Sequence, residues 1–446
     1  MTTRRDFIRN AATGAIVIAA REYPLAQQRS ANDKIQIGLI GAGIRGHEIT
    51  PQALRVPGVE LVAVSDVYEG RLTRAKEIWG KDLFTTRDYR ELLARPDIDA
   101  VLIAAPDHWH QKMSLDAMAA GKDVYVEKPM VRQVEEGAAV IESARKNSRI
   151  LQVGSQRASS IVNQKARELY GNGVIGQLNM VEAWIDRNSA VGAWQYSIPP
   201  DASPATIDWD RFLGSAPKRP FEPVRLFRWR NYSDYGTGVA GDLFVHLFTA
   251  IHMVLSSNGP TRIMSTGGLR YWKDGRDVPD ILLGLYDYPE TKNHPAFNLL
   301  LKVNFADGGG ENSEFRFIGN EGMMTLSGGI QISKKAPERE PGMTIESFPE
   351  EMQKKYIEEY RKKYPSRGPA DRLQSNVVET YTAGRNYNDT FDHMMVFFGS
   401  VRSRQPLLED PVFGLRAAGP ALIGNLSYYN RRPYNWDPEA MRLVEA

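Results

Sequence analysis

The chain contains no cysteine. That absence removes disulfides, thiolate zinc sites, iron–sulfur clusters and cysteine nucleophiles from consideration. It sets no compartment, but it is compatible with an oxidising one. An excess of charge of one sign is also missing: 56 basic residues stand against 54 acidic ones, for a formal net charge of +2. A balanced charge carries no footprint for nucleic acid. No apolar run reaches membrane-spanning length, so no stable membrane insertion is expected, and internal repeats are lacking. What is present is ordinary for a soluble globular protein, with 42% hydrophobic and 25% charged residues. At 446 residues the chain is too long for one ordinary core, so two domains are the default.

The first residues look like an address. Thr3-Arg4-Arg5-Asp6-Phe7-Ile8-Arg9 sets paired arginines before two apolar residues, and a mildly apolar run follows over residues 11–20. Ala19, Ala20 and Ala26 offer a cleavage site. Residues 1–30 therefore resemble a twin-arginine export leader; a frayed helix with two chance arginines is the alternative. The resemblance implies a periplasmic or otherwise extracytoplasmic protein. The route carries folded proteins, so a domain can leave the cytoplasm with its ligand already bound.

Lys34-Ile35-Gln36-Ile37-Gly38-Leu39-Ile40 reads as a buried strand that runs into Gly41-Ala42-Gly43-Ile44-Arg45-Gly46. In this G-x-G-x-x-G turn Gly41 permits the tight turn and Gly43 lets the backbone approach a pyrophosphate. Gly46 lets the following helix pack on the strand with its amino terminus toward the anion. The motif alone is weak, but here a strand precedes it and a plausible helix follows. A second apolar strand over residues 59–64 ends in Ser65-Asp66. An acidic residue there can bond the adenosine ribose hydroxyls, which favours NAD over NADP; a helix-capping aspartate is the alternative.

The alternation continues. Residues 99–105 form a strand that ends at Pro106, residues 110–120 a helix, and Val124-Tyr125-Val126 a strand that ends in Glu127-Lys128-Pro129. Residues 134–147 form another helix and residues 150–153 a strand. Strands alternating with helices make a doubly wound parallel sheet, a Rossmann domain over 34–155. Ligands sit at the carboxyl ends of such strands, where Asp66, Pro106 and Lys128 fall. A lysine there can donate to a substrate oxygen, although surface lysines at strand ends are common.

Beyond residue 156 the pattern changes. Residues 178–185, 281–288, 297–305 and 314–318 look like strands separated by glycine-rich turns, which suits a mostly antiparallel sheet in an α+β domain over 156–440. Residues 333–386 are highly charged and read as an inserted helix with surface loops, and 413–429 has helical spacing. One segment is chemically loaded: Tyr235-Gly236-Thr237-Gly238-Val239-Ala240-Gly241-Asp242-Leu243-Phe244-Val245-His246. Asp242 and His246, four apart, share a helical face, and a carboxylate there can orient the imidazole and fix its tautomer. A purely structural pair is the alternative. A metal is not expected, because no third ligand sits at suggestive spacing. His252 turns away and reads as structural.

With these residues in view, the chain resembles the glucose–fructose oxidoreductase / inositol dehydrogenase / rhizopine-catabolism family, Gfo/Idh/MocA, over roughly residues 34–440. The anchors are the glycine turn, Pro106-Asp107-His108-Trp109-His110, Glu127-Lys128-Pro129 and Asp242-x-x-x-His246. The resemblance implies Lys128, Asp242 and His246 as the catalytic set around a carbohydrate carbon. It implies Pro106, His110 and Glu127 along the cofactor, Gln156 and Arg157 near it, and a homo-oligomer, a dimer or tetramer, formed through the broad sheet. The bulky Leu243-Phe244-Val245 departs from the family's usual smaller residues and makes substrate identity less transferable.

The implied chemistry is hydride transfer between a sugar or polyol carbon and nicotinamide, with His246 as base, Asp242 orienting it and Lys128 stabilising the oxygen. Three function classes follow: an oxidoreductase with a bound, internally recycled NAD; a redox-neutral glycosidase or lyase acting through transient oxidation; and a cofactor-binding sensor. The glycosidase branch lacks the Glu-Lys-Pro lysine, so Lys128 favours the first.

Overall fold

The computed structural model describes residues 34–335, 344–363 and 377–444; the export-leader expectation at residues 1–30 lies outside them. The first sheet contains β1 (Ile35–Ile40), β2 (Val59–Ser65), β3 (Phe84–Thr86), β4 (Ala100–Ile103), β5 (Asp123–Glu127) and β6 (Leu151–Gly154). Their order is β3-β2-β1-β4-β5-β6, and every pairing is parallel. The apolar runs of β4 and β5 are buried throughout, as befits strands covered on both faces. Strand order reverses at β1, so the crevice between the carboxyl ends of β1 and β4 is the switch point where such sheets bind ligands.

The second sheet is built from β7 (Leu178–Asp186), β8 (Arg262–Gly268), β9 (Ile281–Tyr288), β10 (Phe297–Asn304), β11 (Asn312–Gly319), β12 (Gly322–Leu326), β13 (Ile330–Lys334), β14 (Val377–Tyr381), β15 (Tyr434–Asp437) and β16 (Arg442–Val444). Its order is β14-β13-β12-β11-β7-β10-β9-β8-β15-β16. It is antiparallel except for β7 beside β10. The charged stretch expected as a helix and loops holds the helix Glu350–Lys363 but also contributes an edge strand, β14. Burial alternates along β9 and β10, the signature of a sheet packed on one face. On the other face Met264, Leu283 and Leu285 are exposed.

Two late helices fold back on the Rossmann body. Pro411–Asn430 starts at Asp410, whose carboxylate accepts the Phe413 amide at 2.8 Å. Its small residues permit close approach: a Cβ on Gly414 would stand 2.4 Å from Val153 of β6. Asp389–Ser403 buries His393, Met394, Phe397 and Phe398, and the last three join the core beneath β1. Arg404, just beyond, clasps Asp123 of β5 with two bonds of 2.5 and 3.0 Å.

The connection from β7 to the Asp242 segment, residues 187–239, joins neither sheet. It lies over the carboxyl end of β2: Asp208 N donates to Val67 O at 2.9 Å, Glu69 N to Thr206 O at 2.9 Å, and the Tyr68 hydroxyl to Asp201 at 2.6 Å. Ile207, Phe212, Leu226 and Phe227 form a small core there with Tyr68.

Candidate active site

At the switch point lies an open cavity of about 520 Å³. Gly41, Gly43, Ile44 and Arg45 line one side, Asp66 and Pro106 the strand ends, and Tyr196, Phe212, Phe227, Trp229 and Arg230 the overlying segment. The glycines are needed where they stand. Gly41 has φ of 93°, and a Cβ on it would meet Ala104 O at 2.6 Å. A Cβ on Gly46 would lie 2.3 Å from Gly41 O, so the helix Ile44–Leu54 can approach the turn only without a side chain. No side chain caps that helix, which leaves its first N–H groups to an anion. The Asp66 carboxylate is buried and holds the turn: Oδ2 accepts Ala42 N at 2.8 Å and Oδ1 accepts Tyr68 N at 3.0 Å. Arg71 stands 3.4 Å from Oδ2. A cradle of small residues, a free helix start and an acid at the end of β2 together fit a nicotinamide dinucleotide.

Glu127 does not line this cavity. It is buried and accepts Arg45 Nε at 2.8 Å and Gln156 Nε2 at 3.2 Å, while Gln156 also donates to the Tyr125 hydroxyl at 2.7 Å. The pair ties the glycine turn to the Glu-Lys-Pro turn. His110, expected along the cofactor, is likewise not among the residues that line this cavity. His110 is 1% exposed, with Nδ1 2.6 Å from Pro129 O and Nε2 2.9 Å from Ala105 O. Both nitrogens are committed to backbone, so it fastens the ends of β4 and β5 together.

Lys128 Nζ donates to Asp242 Oδ1 and to Asp242 O, each at 2.7 Å. Both side chains are almost fully buried. Arg230 Nε adds a third contact to Asp242 Oδ1 at 3.3 Å. Burial opposes ionisation of Asp242, but the charges of Lys128 and Arg230 outweigh it and hold the carboxyl below the usual range. His246 goes the other way: burial first, then Lys128 and Arg157, push its protonation well below the ordinary imidazole range. That favours the neutral imidazole.

One expectation about this pair changes. No hydrogen bond joins Asp242 to His246 among the described residues; the carboxylate is turned to Lys128 and Arg230. The cause is local. Residues Ala240–Phe244 form a π-turn before the regular helix Val245–Leu255, and a wider turn takes residues four apart off a common line. The turn is held at its start by Asp107, buried, which accepts Thr237 N and Oγ1 at 2.9 and 2.7 Å. Asp242 thus serves Lys128 rather than the imidazole. His252 bonds the Tyr288 hydroxyl at 2.8 Å inside the core.

Sequence reasoning missed Arg230, and it gave Asp107, quoted within the Pro106–His110 anchor, no role of its own. Arg230 carries no motif; its one local signal is the aromatic and basic run Phe227-Arg228-Trp229-Arg230, where the guanidinium lies 4.3 Å from the Trp229 ring centre. Arg157, expected near the cofactor, lines a different cavity.

Residues 35–155 match the family model described as the oxidoreductase family NAD-binding Rossmann fold, and 184–265 match its C-terminal alpha/beta domain. A glycosyl hydrolase family 109 protein of Shewanella baltica is 36% identical over 163 residues, covering 34% of this chain and 35% of that relative. Inositol 2-dehydrogenase of Gluconacetobacter diazotrophicus is 33% identical over 158 residues, 35% of this chain and 47% of the relative. The matches therefore span about a third to a half of the curated relatives' length. Among solved structures, levoglucosan dehydrogenase in complex with NADH and levoglucosan superposes with a TM-score of 0.64 at 16% identity, over 90% of this chain and 99% of that one. The aldose-aldose oxidoreductase of Caulobacter crescentus gives 0.63 at 14% identity, over 90% and 99%. These likenesses share the fold. Its two matched regions are thus similar to the Gfo/Idh/MocA oxidoreductase family, the first of them to that family's NAD-binding Rossmann fold.

Proposed function

We propose that the protein is an oxidoreductase that moves hydride between a carbinol carbon of a sugar or polyol and a tightly held NAD. The observation that carries the reading is the Lys128 ammonium, fixed 2.7 Å from Asp242 Oδ1 at the carboxyl edge of the Rossmann sheet, with neutral His246 four residues on. Gly41, Gly43, Ile44, Arg45, Gly46, Asp66 and Pro106 would hold the dinucleotide. Bound nicotinamide supplies a ring carbon that accepts and returns hydride. Lys128 holds a proton toward the substrate oxygen and stabilises negative charge developing there. His246 takes the hydroxyl proton. Asp242 and Arg230 keep the Lys128 ammonium in place.

We assign the protein to an extracytoplasmic compartment, reached through the twin-arginine pattern Arg4-Arg5. No free nicotinamide pool exists there, so the cofactor would be recycled in place by a second sugar or carbonyl. The test is mass spectrometry of the denatured protein recovered from a periplasmic fraction. NAD is expected in stoichiometric amount; a 2′-phosphorylated nucleotide would overturn the assignment of Asp66, and an empty protein without affinity for either would remove the functional claim. Adding a sugar without acceptor is expected to raise the reduced-nicotinamide absorbance. The family 109 relatives favour a second reading, glycoside cleavage through transient oxidation by the same residues. Cleavage of a glycoside with no net change in cofactor redox state would select it.

A homo-oligomer belongs to the same proposal. Met264, Leu283, Leu285 and Tyr429 are exposed and line a single groove on the second sheet, an apolar patch of the kind that marks an interface. Light scattering is expected to give a dimer or tetramer; a monomeric mass at micromolar concentration would refute it.

A further inference from the structure

A second cavity, of about 560 Å³, opens beside the turn Gln156–Ser159. Arg157, Asn163, Ser313, Arg385 and Tyr387 line it, with Asp389 as its carboxylate. The Arg157 guanidinium makes one long hydrogen bond, to Ser313 Oγ at 3.4 Å, and lies 5.3 Å from the Phe315 ring centre. No ion pair engages Arg157 or Arg385 among the described residues, although the charge of Asp389, on the same cavity wall, acts on Arg157. Burial lowers the proton affinity of Arg157. A half-buried guanidinium that no carboxylate bonds directly is left short of acceptors, which an anionic ligand can supply. The turn adjoins the catalytic centre: Gln156 bonds Glu127, the neighbour of Lys128, and the Arg157 charge reaches His246.

We propose that the substrate is an acidic carbohydrate whose carboxylate is seated on Arg157 and Arg385. The inference rests on the oxidoreductase reading above for the fate of that sugar. The planar guanidinium suits a carboxylate, which it can grip with two parallel bonds. In the reaction the carbinol carbon gives hydride to NAD⁺ and its hydroxyl gives a proton to His246. The products are a keto sugar acid and NADH; the carboxylate is unchanged and serves only to place the carbon.

The experiment titrates the holoprotein with D-glucuronate against D-glucose, and D-galacturonate against D-galactose, following tryptophan fluorescence and nicotinamide absorbance. The acidic sugars are expected to bind about tenfold or more tightly, and added salt should weaken them alone. Arg157→Gln should reduce the acidic-to-neutral ratio by about ten- to a hundredfold, the scale of a lost charged hydrogen bond. Arg385→Gln, at an exposed position, should reduce it less and keeps the test valid if the first variant misfolds. Equal binding of acidic and neutral sugars, no binding of either, or a preference that survives both variants overturns the proposal. A stronger preference for glucose 6-sulfate than for glucuronate overturns the carboxylate assignment. A preference for uronates without nicotinamide reduction keeps the anionic site and defeats the oxidoreductase reading; reduction by neutral sugars without preference does the reverse.

Discussion

Replacing Lys128 by alanine is expected to lower turnover by about a hundredfold or more, and His246→Ala by a similar factor, the scale of positioned acid–base groups. The bound dinucleotide should remain, because the glycine turn and Asp66 are untouched. Combining the two changes should cost much less than the product of their separate effects, since groups that act on one oxygen are not additive. The pH profile separates their contributions. His246 is held neutral below the ordinary imidazole range by burial and then by Lys128. In the wild type the acid limb of kcat/KM should therefore lie below about pH 6.5, the unperturbed imidazole value. In Lys128→Ala the repelling ammonium is gone, and the limb should move upward. Steady-state kinetics over pH check both points. Full activity in either variant would make the Glu-Lys-Pro and Asp-x-x-x-His motifs structural.

Asp242→Ala is expected to be the most destabilising single change at the site, by about 3–5 kcal/mol, the range for breaking a buried ion pair. The carboxylate is buried and answers two cations, Lys128 and Arg230. Its removal leaves both desolvated and facing each other. Asp242→Asn keeps the shape and an acceptor oxygen, so it should unfold at an intermediate urea concentration while losing most turnover. The pH dependence has a definite sign. The folded carboxyl titrates below its unfolded value of about 3.9, so its contribution is complete above that pH and is lost as pH falls through the folded value. Urea midpoints measured near neutrality and in acid test this; identical midpoints for the wild type and Asp242→Ala would show that the cluster adds nothing to stability.

The parallel strands were legible because buried strands are written as continuous apolar runs, such as Val101-Leu102-Ile103 and Val124-Tyr125-Val126, punctuated by glycine and proline. The residues brought together at Lys128 and Asp242 were legible through short motifs at strand and helix ends. Three features were not. The spacing of Asp242 and His246 is that of a regular helix, and nothing in the letters announces a π-turn; the contact of Thr237 with Asp107 that holds its start is formed across 130 positions. Arg230 meets Asp242 only because the 187–239 connection folds over the crevice. His110 looks like any ring beside a ligand until two carbonyls, on Ala105 and Pro129, are seen to close around it. Local periodicity records which face of an element is buried, but not which distant group completes it. The strand β14 was hidden for a related reason: it lies within a charged insertion and, among the described residues, pairs only with β13.

The connection over β2 has a kinetic consequence. Its backbone bonds to Val67 and Glu69, and its packing of Phe212 and Phe227 around Tyr68, close the crevice from the side opposite the sheet. A dinucleotide in the cavity at the switch point would lie against this connection, whose Tyr196, Phe212, Phe227, Trp229 and Arg230 line it. Local opening of residues 187–239 is then expected to speed its departure, so that the stability of that small core enters its residence time. Exchange with added nucleotide becomes a measure of how often one surface segment lifts.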